Sequence, residues 1–320
     1  MSQRNKKLIW QLPFLTLLVV GTILIIRQQH SMPYHHDTGF IFGTVYNITY
    51  QCDQNLKADI EAALMQVDGE FSMFNDTSTV SRINRGETVA QSAMYKEVYD
   101  LAQTVSRETE GAFDITVAPL VNAWGFGFKH EQLPTPEQVD SLLQLRNQMD
   151  FSAIAKGYGC DVVARLLESH GIHNYMVEIG GEVVVSGKNA KGDDWHIGIT
   201  KPTEDSLNVE GEMQTVLSIT DHAMATSGNY RNFYYQGGRK YAHTIDPRTG
   251  YPVQHSLLSA TVLAENCATA DAYATSFMVL GVEGAKAVLA RHPELMAYLI
   301  YTDEKGQLTT WASPALSDFQ

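Results

Sequence analysis

The segment YAHTIDPRTG, residues 241–250, combines a histidine with turn-forming residues. Pro247 fixes φ at the second position of a turn and Gly250 tolerates a positive φ, so the segment predicts a hairpin corner. His243 precedes that corner in a strand-like run, where alternation places it on the same face as Ile245. A histidine at this position is either a packing residue or a general base, because its ordinary pKa is about 6.5.

The segment ENCATADAYATSF contains an aspartate and a threonine four residues apart, Asp271 and Thr275. On a helix these side chains lie on one face, about one turn apart. A carboxylate and a hydroxyl form a partial ligand set for a hard cation such as Mg²⁺, which completes its shell with water, carbonyl and phosphate oxygens. Helix capping by the carboxylate and backbone bonding by the hydroxyl explain the same pair without metal. Spacing alone favours this second explanation.

Two further segments are candidates for binding an anionic ligand with a flat ring. DFSAIAKGYGCD places Asp150 as the N-cap of a helix and Lys156 about a turn later, so backbone N–H groups and an ammonium are available to phosphate. GAFDITVAPLVNAWGFG is aromatic and aperiodic, which suits a pocket wall with Phe113 and Asp114 at its mouth. A plain capped helix and ordinary core packing explain the two segments equally well.

Hydrophobic periodicity predicts helices mainly in the first half of the chain and strands in the second. Helical spacing recurs at Leu56, Ile60, Leu64 and Val67, and again at Met94, Val98, Leu101 and Val105. A capping box begins at Thr135, a helix is expected from about Ala153 to His170, and two more helices precede a last hairpin near Gly306. Strand-like runs are NYMVEI, EVVVSG, WHIGIT, TVLSIT, NFYYQ, KYAHTI and LSATVLA. Strands that follow one another without alternating helices predict an α+β fold with a largely antiparallel sheet.

The N-terminus departs from this globular pattern. The run Leu8–Ile26 carries no charge, and as a helix it would be about 28 Å long, close to the ~30 Å hydrocarbon core of a membrane. Basic residues precede it, which favours a cytoplasmic N-terminus. The sequence therefore predicts a signal anchor over residues 1–27, a tether over 28–39 and one globular domain over 40–320. A cleaved signal peptide is the alternative.

Charge and cysteine content exclude several classes of protein. The 320 residues carry a formal net charge of −13, which argues against a nucleic-acid-binding surface because phosphate backbones are bound by an excess of Lys and Arg. The three cysteines, Cys52, Cys160 and Cys267, have no C-x-x-C spacing. They therefore indicate neither a zinc knuckle nor a disulfide framework.

Seven segments, taken in order, resemble the ApbE family of flavin transferases. They are FGTVYNITY, GAFDITVAPLVNAWGFG, DFSAIAKGYGCD, VEIGGEVVVSG, ATSGNYRNFY, YAHTIDPRTGYP and CATADAYATSFMVLG. The resemblance runs from about Phe40 to the C-terminus, and its most specific motifs are ATSG-x-YRN, H-x-IDP-x-TG and TADA-x-AT. It implies an α+β structure with a T-fold-like, antiparallel-rich core.

The resemblance also implies an activity. Such an enzyme uses Mg²⁺, binds FAD and transfers its FMN half to a threonine hydroxyl of an acceptor protein, releasing AMP. The usual acceptors are subunits of redox pumps of the Nqr and Rnf kind, so the catalytic domain is expected in the periplasm, tethered to the bacterial inner membrane. An FAD pyrophosphatase that gives FMN and AMP, or a non-catalytic membrane-tethered FAD-binding protein, are the alternatives.

Particular residues acquire roles from the same resemblance. His243 becomes the catalytic base, while Asp271, Thr275 and the backbone oxygen of Ala153 become metal ligands. Some relatives have a second aspartate where this chain has Ala274, so a carbonyl or water is expected to substitute for it. Phe42 and Phe74 stand where relatives often have Met and Tyr, and are expected to pack without a hydrogen bond. The implied FAD contacts are Phe42, Phe74, Ala112, Phe113, Asp114, Asp150, Lys156 and Ile245.

Overall fold

The structure is a computed structural model that describes residues 13–22, 32–126, 133–202, 212–229, 233–236 and 239–319. The strands are β1 (Tyr34–Ile41), β2 (Thr44–Gln51), β3 (Tyr175–Ile179), β4 (Glu182–Ser186), β5 (Trp195–Thr200), β6 (Met213–Ile219), β7 (His222–Gly228), β8 (Phe233–Gln236), β9 (Arg239–Ala242), β10 (Leu257–Ala264), β11 (Met296–Thr302) and β12 (Leu308–Ala312). The helices are α1 (13–22), α2 (Lys57–Phe71), α3 (Thr79–Asn84), α4 (Ala93–Glu108), α5 (Ala118–Ala123), α6 (Pro136–Leu145), α7 (Ala155–Ser169) and α8 (Cys267–Arg291), with a 3₁₀ helix at Pro314–Phe319.

An antiparallel sheet of eight strands, ordered β1-β2-β3-β4-β7-β10-β11-β12, forms the centre of the described molecule. Its two faces are covered differently. Val184 of β4 packs into the cluster formed with α2 and α7, whereas its neighbours Val183 and Val185 pack with the β5–β6 hairpin. Consecutive residues of a strand point to opposite faces, so this alternation fixes the layers. The predicted α+β class with a largely antiparallel sheet is confirmed.

Most of the predicted helices form where periodicity places them. In α2 the residues Ile60, Leu64 and Val67 are buried, as the spacing predicts. At the start of α6 the Thr135 hydroxyl accepts from the Gln138 N–H at 3.3 Å, and the Gln138 side chain accepts from the Thr135 N–H at 2.8 Å. This is the predicted capping box.

The predicted N-cap role of Asp150 is wrong. Helix α7 begins at Ala155 with Ile154 before it, and no side chain caps it. The Asp150 carboxylate instead accepts from the N–H and the hydroxyl of Ser152, at 2.8 and 2.6 Å. Aspartate readily closes such a local turn, and here the turn ends before the helix begins.

Helix α8 has a break within it. Gly281 has φ 72° and ψ −177°, a conformation that only glycine adopts readily. The two helices predicted for the segments ATADAYATSFMVL and VEGAKAVLARH therefore meet at this residue. The His255 ring lies at this break, since a Cβ on Gly281 would be 3.4 Å from it.

The N-terminal boundaries differ from the prediction. The tether predicted over residues 28–39 is too long, because residues 34–39 belong to β1, which pairs with β2 along its whole length. Hydrophobic alternation does not reveal this strand because many of its residues are polar, as is common at a sheet edge. Strands β1 and β2 form a hairpin that turns at Phe42 and Gly43, both with positive φ. Strand β7, which was not predicted, covers the ATSG motif.

Among the described residues, no helix combines the length and hydropathy needed to cross a membrane. The predicted anchor Leu8–Ile26 is described only over 13–22, where the chain is helical and apolar side chains such as Phe14 and Leu17 are exposed. The remainder of that run lies outside the described residues.

Candidate active site

A cleft of about 960 Å³ opens beside the central sheet, and all the residues predicted to bind metal, FAD or the reacting hydroxyl line it. They come from widely separated parts of the chain. The contributing parts are the β1–β2 turn, the segments after α2, α4 and β9, the segment before α7, the start of α7 and the first half of α8. The residues are Phe42, Phe74, Ala112, Phe113, Asp114, Asp150, Ala153, Lys156, His243, Ile245, Asp271 and Thr275.

The starts of α7 and α8 are held together by reciprocal hydrogen bonds. The Gly157 N–H in α7 donates to Oδ2 of Asp271 in α8 at 3.1 Å. Conversely, the N–H groups of Cys267 and Ala268 donate to the two carboxylate oxygens of Asp161 at 2.7 and 2.8 Å. A Cβ on Gly157 would lie 2.4 Å from the carbonyl oxygen of Cys267, so this close approach requires glycine. The predicted metal-binding carboxylate is thereby fixed in place.

A hydroxyl pair lies one turn further along α8. The Thr275 Oγ1 and the Ser227 Oγ of β7 are 3.1 Å apart, and both residues line the cleft. Ala274, where some relatives have an aspartate, is fully buried. The described residues contain no group of three His, Cys, Asp or Glu side chains that could hold a metal. Asp271, Thr275 and Ala153 all line the cleft, and oxygen donors of this kind suit a hard cation that takes its other ligands from water and phosphate. Their role as metal ligands stays a prediction.

A buried ion pair forms another part of the wall. Lys156 Nζ lies 2.5 Å from Glu182 Oε1, and Glu182 is only 2% exposed. Burial raises the pKa of Glu182 to about 7, against the opposing charge of Lys156. Burial alone would lower the pKa of Lys156, but the charges of Asp271 and Glu182 outweigh it and raise that pKa.

Glu182 was missed from the sequence, although a signal was present. It opens the run EVVVS, which is buried on both faces of the sheet. A carboxylate in such a run needs a partner, because an unpaired buried charge is costly. The partner, Lys156, cannot be found from spacing because the two residues belong to different elements.

An arginine that was also missed braces the aromatic wall. Arg146, directly after α6, donates to Asp114 Oδ2 at 2.5 Å and to the Pro247 carbonyl at 3.3 Å. The other oxygen of Asp114 accepts from the N–H and hydroxyl of Thr116 at 2.8 and 2.7 Å. Arg146 thus connects the GAFD segment to the turn that follows His243.

The predicted hairpin corner after His243 is confirmed. The Gly250 N–H donates to the Asp246 carbonyl at 2.8 Å, and the Trp124 indole N–H donates to the Gly250 carbonyl at 2.7 Å. His243 follows β9 directly, and its ring lies edge-on to Phe126 with the centroids 6.4 Å apart. A fixed turn thus holds an imidazole on the same cleft as Asp271 and Thr275. Its role as a base stays a prediction.

Comparison with known proteins gives the family. The model of the ApbE family matches residues 42–300. The chain belongs to the ApbE family. Three curated relatives are each named FAD:protein FMN transferase. The protein of Haemophilus influenzae is 38% identical over 86% of this chain and 89% of its own length. That of Vibrio cholerae is 38% identical over 84% and 88%, and that of Escherichia coli K12 is 36% identical over 82% and 81%.

Solved structures of ApbE proteins share the fold. The flavin transferase ApbE from Vibrio cholerae superposes with a TM-score of 0.80 at 35% identity, covering 90% of this chain and all of that one. The flavinyl transferase ApbE of Pseudomonas stutzeri, in its apo form, gives a TM-score of 0.79 at 29% identity, covering 90% and 97%. These relatives of the chain are enzymes. The similarity covers the parts of the chain that form the cleft and the central sheet.

Proposed function

We propose that this chain is a Mg²⁺-dependent FAD:protein FMN transferase that attaches FMN to a threonine hydroxyl of an acceptor protein and releases AMP. The observation that carries the proposal is the convergence of His243, Asp271 and Thr275 on one cleft from separate segments. A protein that only stores FAD needs no imidazole beside a cation site. The names of the relatives support flavin transfer as the reaction.

The cleft has room and donors for FAD. The apolar side chains of Phe42 and Phe113 suit the flat ring system, and Lys156 at the start of α7 suits the phosphates. Asp271, Thr275 and the Ala153 carbonyl would hold Mg²⁺. When bound, the cation neutralises the pyrophosphate and stabilises charge on the departing AMP.

The proposed reaction is a single displacement at phosphorus. The threonine oxygen forms a bond to the phosphorus of the FMN half, and the bond from that phosphorus to the AMP oxygen breaks. The hydroxyl proton passes to His243, because a neutral hydroxyl is a weak nucleophile. The Asp246–Gly250 turn holds the histidine, and the walls position FAD, so much of the rate enhancement comes from orientation and electrostatics.

The proposed acceptors are membrane-associated subunits of redox pumps of the Nqr and Rnf kind. We propose that Leu8–Ile26 anchors the chain in the bacterial inner membrane with the catalytic domain in the periplasm. This part of the proposal rests on the uncharged apolar run and the basic residues before it. Full-length protein should stay with the membrane after carbonate washing and be digested by protease added to the periplasmic side. Release by carbonate would contradict the anchor.

The transferase is tested by incubating the full-length chain with FAD, Mg²⁺ and an acceptor domain that bears the candidate threonine. The intact mass of the acceptor should rise by one FMN, and EDTA should prevent the change. An acceptor with that threonine replaced by valine is the matched control and should stay unmodified. Appearance of free FMN and AMP with an unmodified acceptor would favour the pyrophosphatase. Bound but intact FAD would favour the carrier.

A further inference from the structure

Strand β5 borders the cleft along its backbone edge rather than through one of its faces. The consecutive residues Ile197, Gly198, Ile199 and Thr200 all line the cleft. Neighbouring residues of a strand point to opposite faces of the sheet, so a single face cannot supply consecutive residues to one cavity. The cleft therefore runs along the side of β5, where the backbone N–H and C=O groups lie.

The two faces of β5 are occupied by other contacts. Ile197 and Ile199 pack on the inner face, in the cluster that joins the β5–β6 hairpin to the central sheet. On the outer face the His196 ring hydrogen-bonds the hydroxyl of Ser218 in β6 at 2.9 Å. Gly198 lies between them and is exposed. Because glycine has no side chain, the surface that it presents is backbone.

The edge of β5 that borders the cleft is open among the described residues. Strands β5 and β6 form a sheet of two strands, and β6 lies on the side away from the cleft, since none of its described residues lines it. The 3₁₀ helix at Pro314–Phe319 packs against β6. In the part of the chain that the structure describes, β5 thus pairs on one side and faces the cleft with the other.

An open strand edge of this kind matches another extended polypeptide. The strand reads WHIGIT, without the proline or the Lys that commonly protects an edge from pairing. Its backbone groups repeat along the strand, and only a second backbone offers the same repeat of donors and acceptors. A flavin ring does not. The polypeptide that must enter this cleft is the acceptor segment with the reacting hydroxyl.

We propose that the acceptor protein binds with the segment around its threonine extended along the open edge of β5, as an added strand. The inference rests on the proposed function, because it requires a protein acceptor. At about 3.3 Å per residue, β5 is about 20 Å long and pairs with about four to six acceptor residues. Main-chain bonding holds the segment whatever its side chains are, so the same edge accepts different acceptor sequences.

The first test is hydrogen exchange of the full-length chain with saturating FAD, read by mass spectrometry. The probe is an acceptor domain whose threonine is replaced by valine, so that it binds without transfer. Relative to FAD alone, this domain should slow exchange of the β5 amides about tenfold, because newly bonded amides must open before they exchange.

Strand β12 is the matched control for this measurement. It is also the last strand of its sheet, but none of its described residues lines the cleft. Its exchange should be the same with and without the acceptor domain. FAD added to the free chain should leave the exchange of β5 unchanged as well.

The second test uses a synthetic acceptor peptide of about ten residues, centred on the threonine, and its N-methylated derivatives. In a strand, alternate N–H groups point to the same neighbour. Methylation at every second residue should therefore lower kcat/KM for FMN transfer about tenfold, because a hydrogen bond to β5 is lost and a methyl group clashes with the edge. Methylation at the intervening residues should change kcat/KM by less than about threefold.

Several results would overturn the inference and leave the transferase intact. Unchanged β5 exchange in the presence of the acceptor domain would place the acceptor elsewhere, and slowing by FAD alone would assign the edge to the flavin. A methylation pattern without alternation would exclude strand pairing. A peptide that stays unmodified while the acceptor domain gains FMN would mean that recognition requires the fold of the acceptor. An acceptor domain that never gains FMN would instead refute the proposed function, and this inference with it.

Discussion

The side chains of the cleft are held by contacts with neighbouring elements. Asp271 receives the Gly157 N–H, Thr275 contacts Ser227, and Asp114 is held by Arg146. His243 is the only histidine among the described residues that line the cleft. A fixed imidazole and fixed oxygen donors would reduce the reorganisation that the proposed phosphoryl-type transfer requires.

Replacing the imidazole tests the base directly. His243→Gln should lower the rate of FMN transfer by about 10²–10⁴, because the hydroxyl loses its proton acceptor. FAD affinity, followed by flavin fluorescence, should remain within a few-fold of the wild type. His196→Gln, at an exposed position on β5, is the control and should transfer normally. A transfer rate for His243→Gln near that of the wild type would remove His243 from the mechanism.

Arg146→Met tests the brace between the aromatic wall and the turn. Loss of the guanidinium releases both Asp114 and the Pro247 carbonyl, so FAD affinity should fall about tenfold. The thermal midpoint should change little, since Arg146 is 53% exposed and exposed ion pairs contribute little to stability. Arg165→Met removes a guanidinium of similar exposure, 50%, which pairs with Glu97, and should leave FAD affinity unchanged. Equal effects of the two variants would contradict a specific brace.

At the scale of elements, helices α7 and α8 are packed backbone to backbone at their starts. Gly157→Ala should separate them, because the new Cβ would lie 2.4 Å from a backbone oxygen that cannot rotate away. The free energy of unfolding should fall by about 1–3 kcal/mol, and transfer should be lost with the displaced Asp271. Chemical denaturation and the acceptor mass assay measure the two effects.

Gly69→Ala in α2 is the matched control for that substitution. Gly69 is also in a helix, but a Cβ there meets nothing within 4 Å. It should stabilise the protein by about 0.5–1 kcal/mol, since alanine favours helix. A stable, active Gly157→Ala protein would mean that the two helix starts can separate without cost.

His255 makes the break in α8 sensitive to pH. Its Nδ1 accepts from the Leu257 N–H at 3.3 Å, so Nε2 carries the proton and donates to the Met278 carbonyl at 2.8 Å. Burial lowers the pKa of His255 below its ordinary 6.5. The neutral ring therefore contributes stability that is complete above pH 6.5 and is lost as pH falls through the lowered pKa.

The corresponding variant is His255→Gln. Wild-type thermal stability should fall more steeply than that of the variant from about pH 7.5 to about pH 5, the range in which histidine titrates. Parallel pH profiles for the two proteins would show that this ring does not titrate on unfolding.

Helices could be predicted from the sequence where the signal lay within the helix itself. Contacts between residues of different elements could not. The buried face of α2 and the capping box at Thr135 follow from spacing within one helix. The N-cap assigned to Asp150 failed because a turn two residues long satisfied its carboxylate first. Glu182 and Arg146 were missed since each acts on a residue of another element.

At the scale of the whole molecule, the sheet gathers dispersed motifs on one cleft. Strand β1 is the edge of that sheet and carries Asp37, which is 6% exposed and accepts from the Tyr50 hydroxyl at 2.8 Å. The catalytic body therefore begins at β1, before residue 40, where the sequence alone had placed its start. The cleft residues could be predicted because they lie in or near the family motifs. Strand β1, at the edge of the sheet, has no such motif.

Two truncations distinguish these boundaries. A chain starting at residue 32 keeps β1 and should bind FAD and fold like the full-length protein. A chain starting at residue 40 loses Asp37 and leaves the Tyr50 hydroxyl without its acceptor, so its free energy of unfolding should be lower by at least about 2 kcal/mol. Denaturant unfolding and FAD titration measure the difference. Equal stability would show that β1 is dispensable.

The reciprocal bonding of α7 and α8 also limits how the family can diverge. Asp161 and Asp271 each accept backbone N–H groups from the first turn of the other helix. Loss of either carboxylate leaves buried amides unsatisfied in a neighbouring helix, so a single replacement is selected against unless a second one compensates. Residues 157, 161, 267 and 271 are thus expected to evolve as one unit. Folding alone is therefore expected to keep an aspartate at residue 271, the proposed metal-binding position.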